Sequence, residues 1–181
     1  IAEELAYKGA NVTLVLGPSE VPVNREINTI RVTSALEMYE ACMSHLPGSD
    51  IIIMAAAVAD YAPEIIADNK IKKEENNLTI NLKKTNDILK NAGEIKKENQ
   101  VLVGFALETN NEKENALKKL IEKNADMVVL NSLNDKHAGF QFDTNKITIF
   151  DKLGKEHVFE NKPKKEVAKD IVNTIIEYKN A

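Results

Sequence analysis

The chain reads as an α/β protein: a Rossmann-like parallel sheet with flanking helices, a protruding arm, and a C-terminal β-hairpin plus helix. Three observations predict this. Helical and strand-like periodicities alternate through most of the length. The stretch Lys72 to Lys84 interrupts them with many lysines and acids, and beyond Phe140 two strand-like runs precede a last helix. Such alternation implies parallel strands joined by crossover helices, with ligands beyond the carboxyl ends of the strands.

Taken in order, Ile1 to Lys8 has helical spacing, and Gly9 suits the left-handed position that ends a helix. Asn11 to Leu16 reads as a strand stopped by Gly17 and Pro18. Thr29 to Val32 is a second strand, after which Thr33 or Ser34 can cap a helix from Ala35 to Leu46. Pro47 and Gly48 break that helix before the strand Ile51 to Met54. Asp87 to Lys97 is helical, Val101 to Phe105 a strand, Glu112 to Asn124 an amphipathic helix, and Met127 to Leu130 a strand. Lys146 to Phe150 and Glu156 to Phe159 form a hairpin around Leu153 and Gly154, closed by a helix from Lys164 to Tyr178. Within residues 72–84, the alternation Leu78, Ile80, Leu82 suits an exposed strand or hairpin, an arm fitted to a dimer contact. Domains of this class usually open on a strand, whereas this sequence opens inside a helix. A strand and a glycine-rich loop are therefore expected upstream of a single domain spanning residues 1–181.

Composition narrows the function classes. The 181 residues are 43% apolar, enough for one core and one domain. A net charge of -4 argues against general affinity for nucleic acid or anionic membrane, while leaving local basic clusters able to hold small phosphates. The lone cysteine, Cys42, excludes an intrachain disulfide and a thiolate metal cluster, and on its amphipathic helix it reads as a small buried hydrophobe. No apolar run reaches membrane-span length and no secretory h-region opens the sequence, so the expected location is the cytoplasm.

Two strand ends carry the candidate chemistry. The run Ile51 to Met54 passes into Ala55, Ala56 and Ala57, then Asp60, with Lys70, Lys72 and Lys73 following. Small residues let a ligand approach the backbone. Asp60 suits a ribose or a metal-bound phosphate, or else caps a turn at Tyr61-Ala62-Pro63; Lys70 suits phosphate charge, or else belongs to a solvated basic stretch. At the second strand end Gly104 permits close approach and Phe105 offers a flat apolar surface, while Lys119 and Lys123 project from one helix face and can clamp a polyphosphate. Against this, a phenylalanine at a strand end is more often core, and lysines on an amphipathic helix are usually solvated. His45, His137 and His157 lack metal-ligand spacing and read as surface or locally bonded, and Asp143-Thr144-Asn145 reads as a turn.

Ala55 to Tyr61, Lys70 to Lys73, Leu82 to Leu89, Gly104 to Asn110, and Lys123 to Asp126 followed by Asn131 stand in an order that resembles the phosphopantothenoylcysteine synthetase family over nearly the whole chain. The resemblance implies a CTP-dependent ligase joining 4'-phosphopantothenate to cysteine in coenzyme A synthesis. The carboxylate attacks the α-phosphate of CTP to give an acyl-cytidylate and pyrophosphate, and the cysteine amine then displaces CMP. It further implies Mg²⁺ held mainly by phosphates and water, a homodimer with the arm covering the site, and a fused or separate flavin-dependent decarboxylase. By similarity Lys70 is catalytic, and the nucleotide is held by Met54, Ala55, Ala56, Ala57, Asp60, Lys70, Phe105, Lys119 and Lys123. Thr85, Asn86, Asp87 and Ile88 would read the base at a helix N-terminus. Asn86 stands where the family commonly has proline, which loosens that turn. The family's glycine-rich loop and an asparagine that handles the acyl intermediate would precede Ile1, so the coupling step is the one these residues do not account for.

Two other classes compete. A dinucleotide-binding reductase would use the same sheet, but no G-x-G-x-x-G occurs in these residues. A non-catalytic module would use the alanine-rich strand end for tight packing and the lysine arm for a partner.

Overall fold

In the computed structural model, which describes residues 1–67, 69, 70, 78–132 and 143–181, helices and strands alternate as expected. Helix α1 (Ala2–Tyr7) ends at Gly9, whose φ of +90° is the left-handed turn that glycine takes without steric cost. Strands β1 (Thr13–Leu16) and β2 (Asn28–Arg31) form a parallel pair of their own. Helix α2 (Ala35–His45) starts in a capping box: Ser34 Oγ accepts from the Glu37 amide, and the Glu37 carboxylate accepts from the amides of Ser34 and Thr33. Of the two candidate caps, Ser34 takes the position and Thr33 reinforces it.

The central sheet runs β3 (Ile51–Met54), β6 (Val101–Glu108), β7 (Met127–Ser132), β8 (Thr144–Asp151) and β9 (Glu156–Pro163), in that order. Its first three strands are parallel, and β8 and β9 return antiparallel through a turn at Gly154. Alternate side chains feed two cores. Leu102, Ala106, Val128, Leu130 and Phe150 pack under α3 (Ile88–Ile95) and α4 (Glu112–Glu122), whereas Val101, Val103, Met127, Val129 and Ile149 pack under α5 (Lys164–Lys179). The parallel-rich α/β architecture with flanking helices, a terminal hairpin and a closing helix is thus as expected from the sequence.

Three local expectations are corrected. Tyr61-Ala62-Pro63 is strand β4 rather than a turn, and it pairs antiparallel with β5 (Leu82–Lys84). Pro63, with no N–H to donate, is tolerated because it closes a short strand of a two-stranded ribbon. The arm therefore roots at Tyr61 rather than at residue 72; residues 71–77 lie outside the described set, and Leu78 to Asn81 are not strand. Thr144 and Asn145, expected in a turn, open β8 opposite Pro163 and Lys162, with a bulge before Ile147 absorbing the irregular register.

Candidate functional site

The carboxyl end of β3 and the neighbouring middle of β6 carry the candidate residues. Met54 closes β3 half-buried against the α3 and α4 core, and Ala55, Ala56, Ala57 and Asp60 follow it exposed. Across from them α3 begins at Asp87, whose side chain accepts the Lys90 amide at 2.9 Å, the N-cap bond that short acidic residues favour. The same carboxylate accepts Lys123 Nζ at 2.6 Å. Burial pushes the Asp87 carboxyl upward, but the hydrogen bond and charge of Lys123 and the Lys90 amide outweigh it and hold the group below the usual carboxylate range. Lys119, one turn earlier on α4, donates to the Phe105 carbonyl at 2.9 Å. Gly104 pairs with Met54, so Phe105 lies mid-way along β6 but just past the end of β3, and both lysines are brought to that level, each on an internal acceptor.

Close packing fixes that placement. A Cβ at Gly93 would lie 1.9 Å from the Lys123 carbonyl oxygen, so α3 and the end of α4 approach as closely as backbones can. Asn124, at a φ of 47°, turns the chain there and donates to the Gly93 carbonyl at 2.8 Å. Two residues on, Asp126 accepts the Leu102 amide at 2.7 Å and both carboxylate oxygens meet Lys96 Nζ, at 2.9 and 3.0 Å, in a buried pair. The run Lys123-Asn124-Ala125-Asp126 is therefore a fastening of α4, α3 and β6, with Ala125 1% exposed in the core.

Other expected members fall elsewhere. The Phe105 side chain packs, as Ile53 and Ile1 do, against the core on the α5 side of the sheet, opposite the two lysines. The space over Gly104 is taken by Leu89, whose Cδ2 would lie 2.8 Å from an added Cβ, so this glycine admits a helix rather than a ligand. Ile88 is a core residue at 7% exposure, and Asn86 is exposed. Thr85 donates through its hydroxyl to the Ala59 carbonyl at 2.6 Å. Lys70 sits exposed on the arm, with no side-chain partner among the described residues. His45 bonds Ser44 and the Ala41 carbonyl, His157 bonds Asp151, and His137 lies outside the described residues. Among the described residues no three His, Cys, Asp or Glu side chains converge as a metal site, and no helix is long and apolar enough to cross a membrane.

The family model for the DNA/pantothenate metabolism flavoprotein C-terminal domain matches residues 1–178. The chain belongs to this family. It is 51% identical over 97% of its length to a cysteine/cysteine sulfinic acid decarboxylase from an unidentified prokaryote. It is 43% identical, again over 97%, to the coenzyme A biosynthesis bifunctional protein CoaBC of Bacillus subtilis. It covers 49% and 43% of those two proteins, so it spans about half the length of the curated relatives it matches. The crystal structure of the C-terminal domain of a CoaBC protein superposes with a TM-score of 0.80 at 40% identity, over 96% of this chain and 77% of that one. The resemblance drawn from ordered motifs is borne out at the level of the flavoprotein C-terminal domain family, and that fold includes the strand ends described above.

Several positioning residues escaped the sequence reading. Gly93 inside a helix pattern was the available signal, since glycine there costs about 1 kcal/mol against alanine and implies a packing reason. Asp126 stood in the Lys123 to Asp126 motif, but nothing in the sequence joined it to Lys96, because the two residues stand on different elements.

Proposed function

We propose that the domain is the CTP-dependent ligase that condenses 4'-phosphopantothenate with cysteine. The substrate carboxylate oxygen attacks the α-phosphorus of CTP and pyrophosphate leaves; the cysteine nitrogen then attacks the acyl carbon, CMP leaves, and the nitrogen sheds its proton. The observation that carries this reading is the pair Lys119 and Lys123, drawn toward the level of the carboxyl end of β3 by the Phe105 carbonyl and by Asp87. A triphosphate presents more charge than either acceptor and can take over both ammonium groups. Met54 to Ala57 line the approach, Asp60 meets the ribose, the exposed Asn86 beside the Asp87 cap meets the base, and Lys70 reaches the α-phosphate from the arm. Magnesium would travel on the phosphate oxygens and water, offsetting charge. The names of the CoaBC relatives support this assignment. The decarboxylase name of the other relative fits a flavin-dependent partner domain, fused or separate. The exposed apolar side chains Tyr61, Ile65, Ile66, Leu78, Ile80 and Leu82 cluster on the arm and support its use as a homodimer contact. The cytoplasm completes the reading.

Ligand-dependent melting is the first test. CTP with Mg²⁺ is expected to raise the melting temperature and NADPH to leave it in place; the reverse would favour the reductase reading, and no shift with either would favour a non-catalytic module. In the full-length protein Lys70→Gln is expected to abolish pyrophosphate release from CTP and phosphopantothenate with the fold intact. Normal turnover by that variant would remove Lys70 from the chemistry.

A further inference from the structure

We propose that Thr85 is a positioning residue that sets the arm against the strand-end turn, rather than a reader of the base. The inference rests on the ligase reading for its kinetic consequence and on geometry alone for its structural one. The ladder between β4 and β5 covers only Tyr61 to Pro63 against Leu82 to Lys84. A two-stranded ribbon this short is marginal by itself, so its orientation has to be set at its root. The Thr85 amide donates to the Asp60 carbonyl at 2.9 Å, continuing the ladder by one rung as any residue could. The Thr85 hydroxyl then adds a bond that the ladder does not supply, to the Ala59 carbonyl at 2.6 Å, across 26 residues of chain. Its β-branch restricts χ1, which keeps that hydroxyl aimed.

What this anchor joins is the reason to assign it a role. On one side lies the turn carrying Asp60, which leaves β3. On the other, two residues past Thr85, Asp87 caps α3 and holds Lys123. Between β4 and β5 lies Lys70, exposed on the arm. The arm, the Asp60 turn and the lysine-bearing end of α4 are thereby linked by the hydrogen bonds of Thr85 and of Asp87, two residues apart. Losing the hydroxyl leaves the ladder amide in place and frees an exposed carbonyl to bind water, so the fold is affected little, whereas the direction in which the arm presents Lys70 is no longer fixed.

The test compares Thr85→Val, which keeps the β-branch and loses the donor, with Thr85→Ser, which keeps the donor. In the full-length protein, Thr85→Val is expected to lower kcat for CTP-dependent pyrophosphate release by about tenfold, the effect of one misdirected interaction, with little change in KM for CTP. Thr85→Ser is expected to recover most of that loss. A raised KM at constant kcat would make Thr85 a direct nucleotide contact and overturn the proposal. Equal impairment in both variants, or turnover by Thr85→Val within about twofold of the parent, would overturn it too. If the parent itself releases no pyrophosphate, the ligase reading fails and amide hydrogen exchange decides the anchor. Thr85→Val should then speed exchange of the residue 85 amide about tenfold without altering that of Leu102, and equal protection in parent and variant would overturn the proposal.

Discussion

Asp87 does two jobs with one carboxylate: one oxygen caps α3 through the Lys90 amide and the other holds Lys123. Asp87→Ala removes both and is expected to cost about 1 kcal/mol, the usual worth of a cap, with no more than a small addition from a half-exposed ion pair. For a chain of this size that is about 2–4 °C in melting temperature by calorimetry. The sign of its pH dependence follows from the depressed folded pKa. The unfolded carboxyl, near about 4, takes up protons first, so the contribution is complete above that value and drains as pH falls through the lower folded one. The parent should therefore lose stability more steeply with acid than Asp87→Ala does, and parallel acid limbs would remove the pair from the account. At this scale Asp87 was visible in the sequence as an acid opening a helical pattern. Its partner was not, because 36 residues separate Asp87 from Lys123 and helical periodicity places a lysine on a face without saying what that face meets.

Among elements, the contact between α3 and α4 is the tightest constraint on the candidate site. Gly93→Ala would drive a methyl into the Lys123 carbonyl. The clash is with backbone, so relief requires the helices to separate. The expected loss is about 2–3 kcal/mol, at the upper end of overpacking, measured by urea denaturation, and accompanied by weaker CTP binding as Lys123 moves away from the strand ends. A variant as stable as the parent would mean that the helices tolerate a wider spacing. Element boundaries in the sequence were read best where local chemistry decides them. The helix cap at Ser34, Gly9 and Gly154 all act within a few residues of themselves. Tyr61-Ala62-Pro63 was misread because its strand character depends on Leu82 to Lys84, about twenty residues away, and proline speaks locally for a turn. Likewise β6 outruns its apolar run to reach Glu108, since β7 continues to pair with it as far as Ser132. Pairing, rather than propensity, extends such strands.

For the molecule as a whole, the arm and the sheet raise different questions. On the dimeric reading, the arm's apolar side chains are covered by a second copy, and Ile65→Asp combined with Leu78→Asp is expected to yield monomers in sedimentation while leaving the central sheet folded. A double variant that stays dimeric would move the interface elsewhere. The candidate site itself divides across the sheet: Lys119 and Lys123 belong to the α3 and α4 side, the Phe105 ring to the α5 side. The sheet itself lies between the two faces, so one small anion cannot touch both. A ligand that engages the whole rim behaves as a bivalent molecule whose two ends bind separate half-sites, joined over the strand ends by a connector of fixed length. Its affinity then depends on effective concentration, and a ligand cut between those two ends would lose far more than the sum of its contacts suggests.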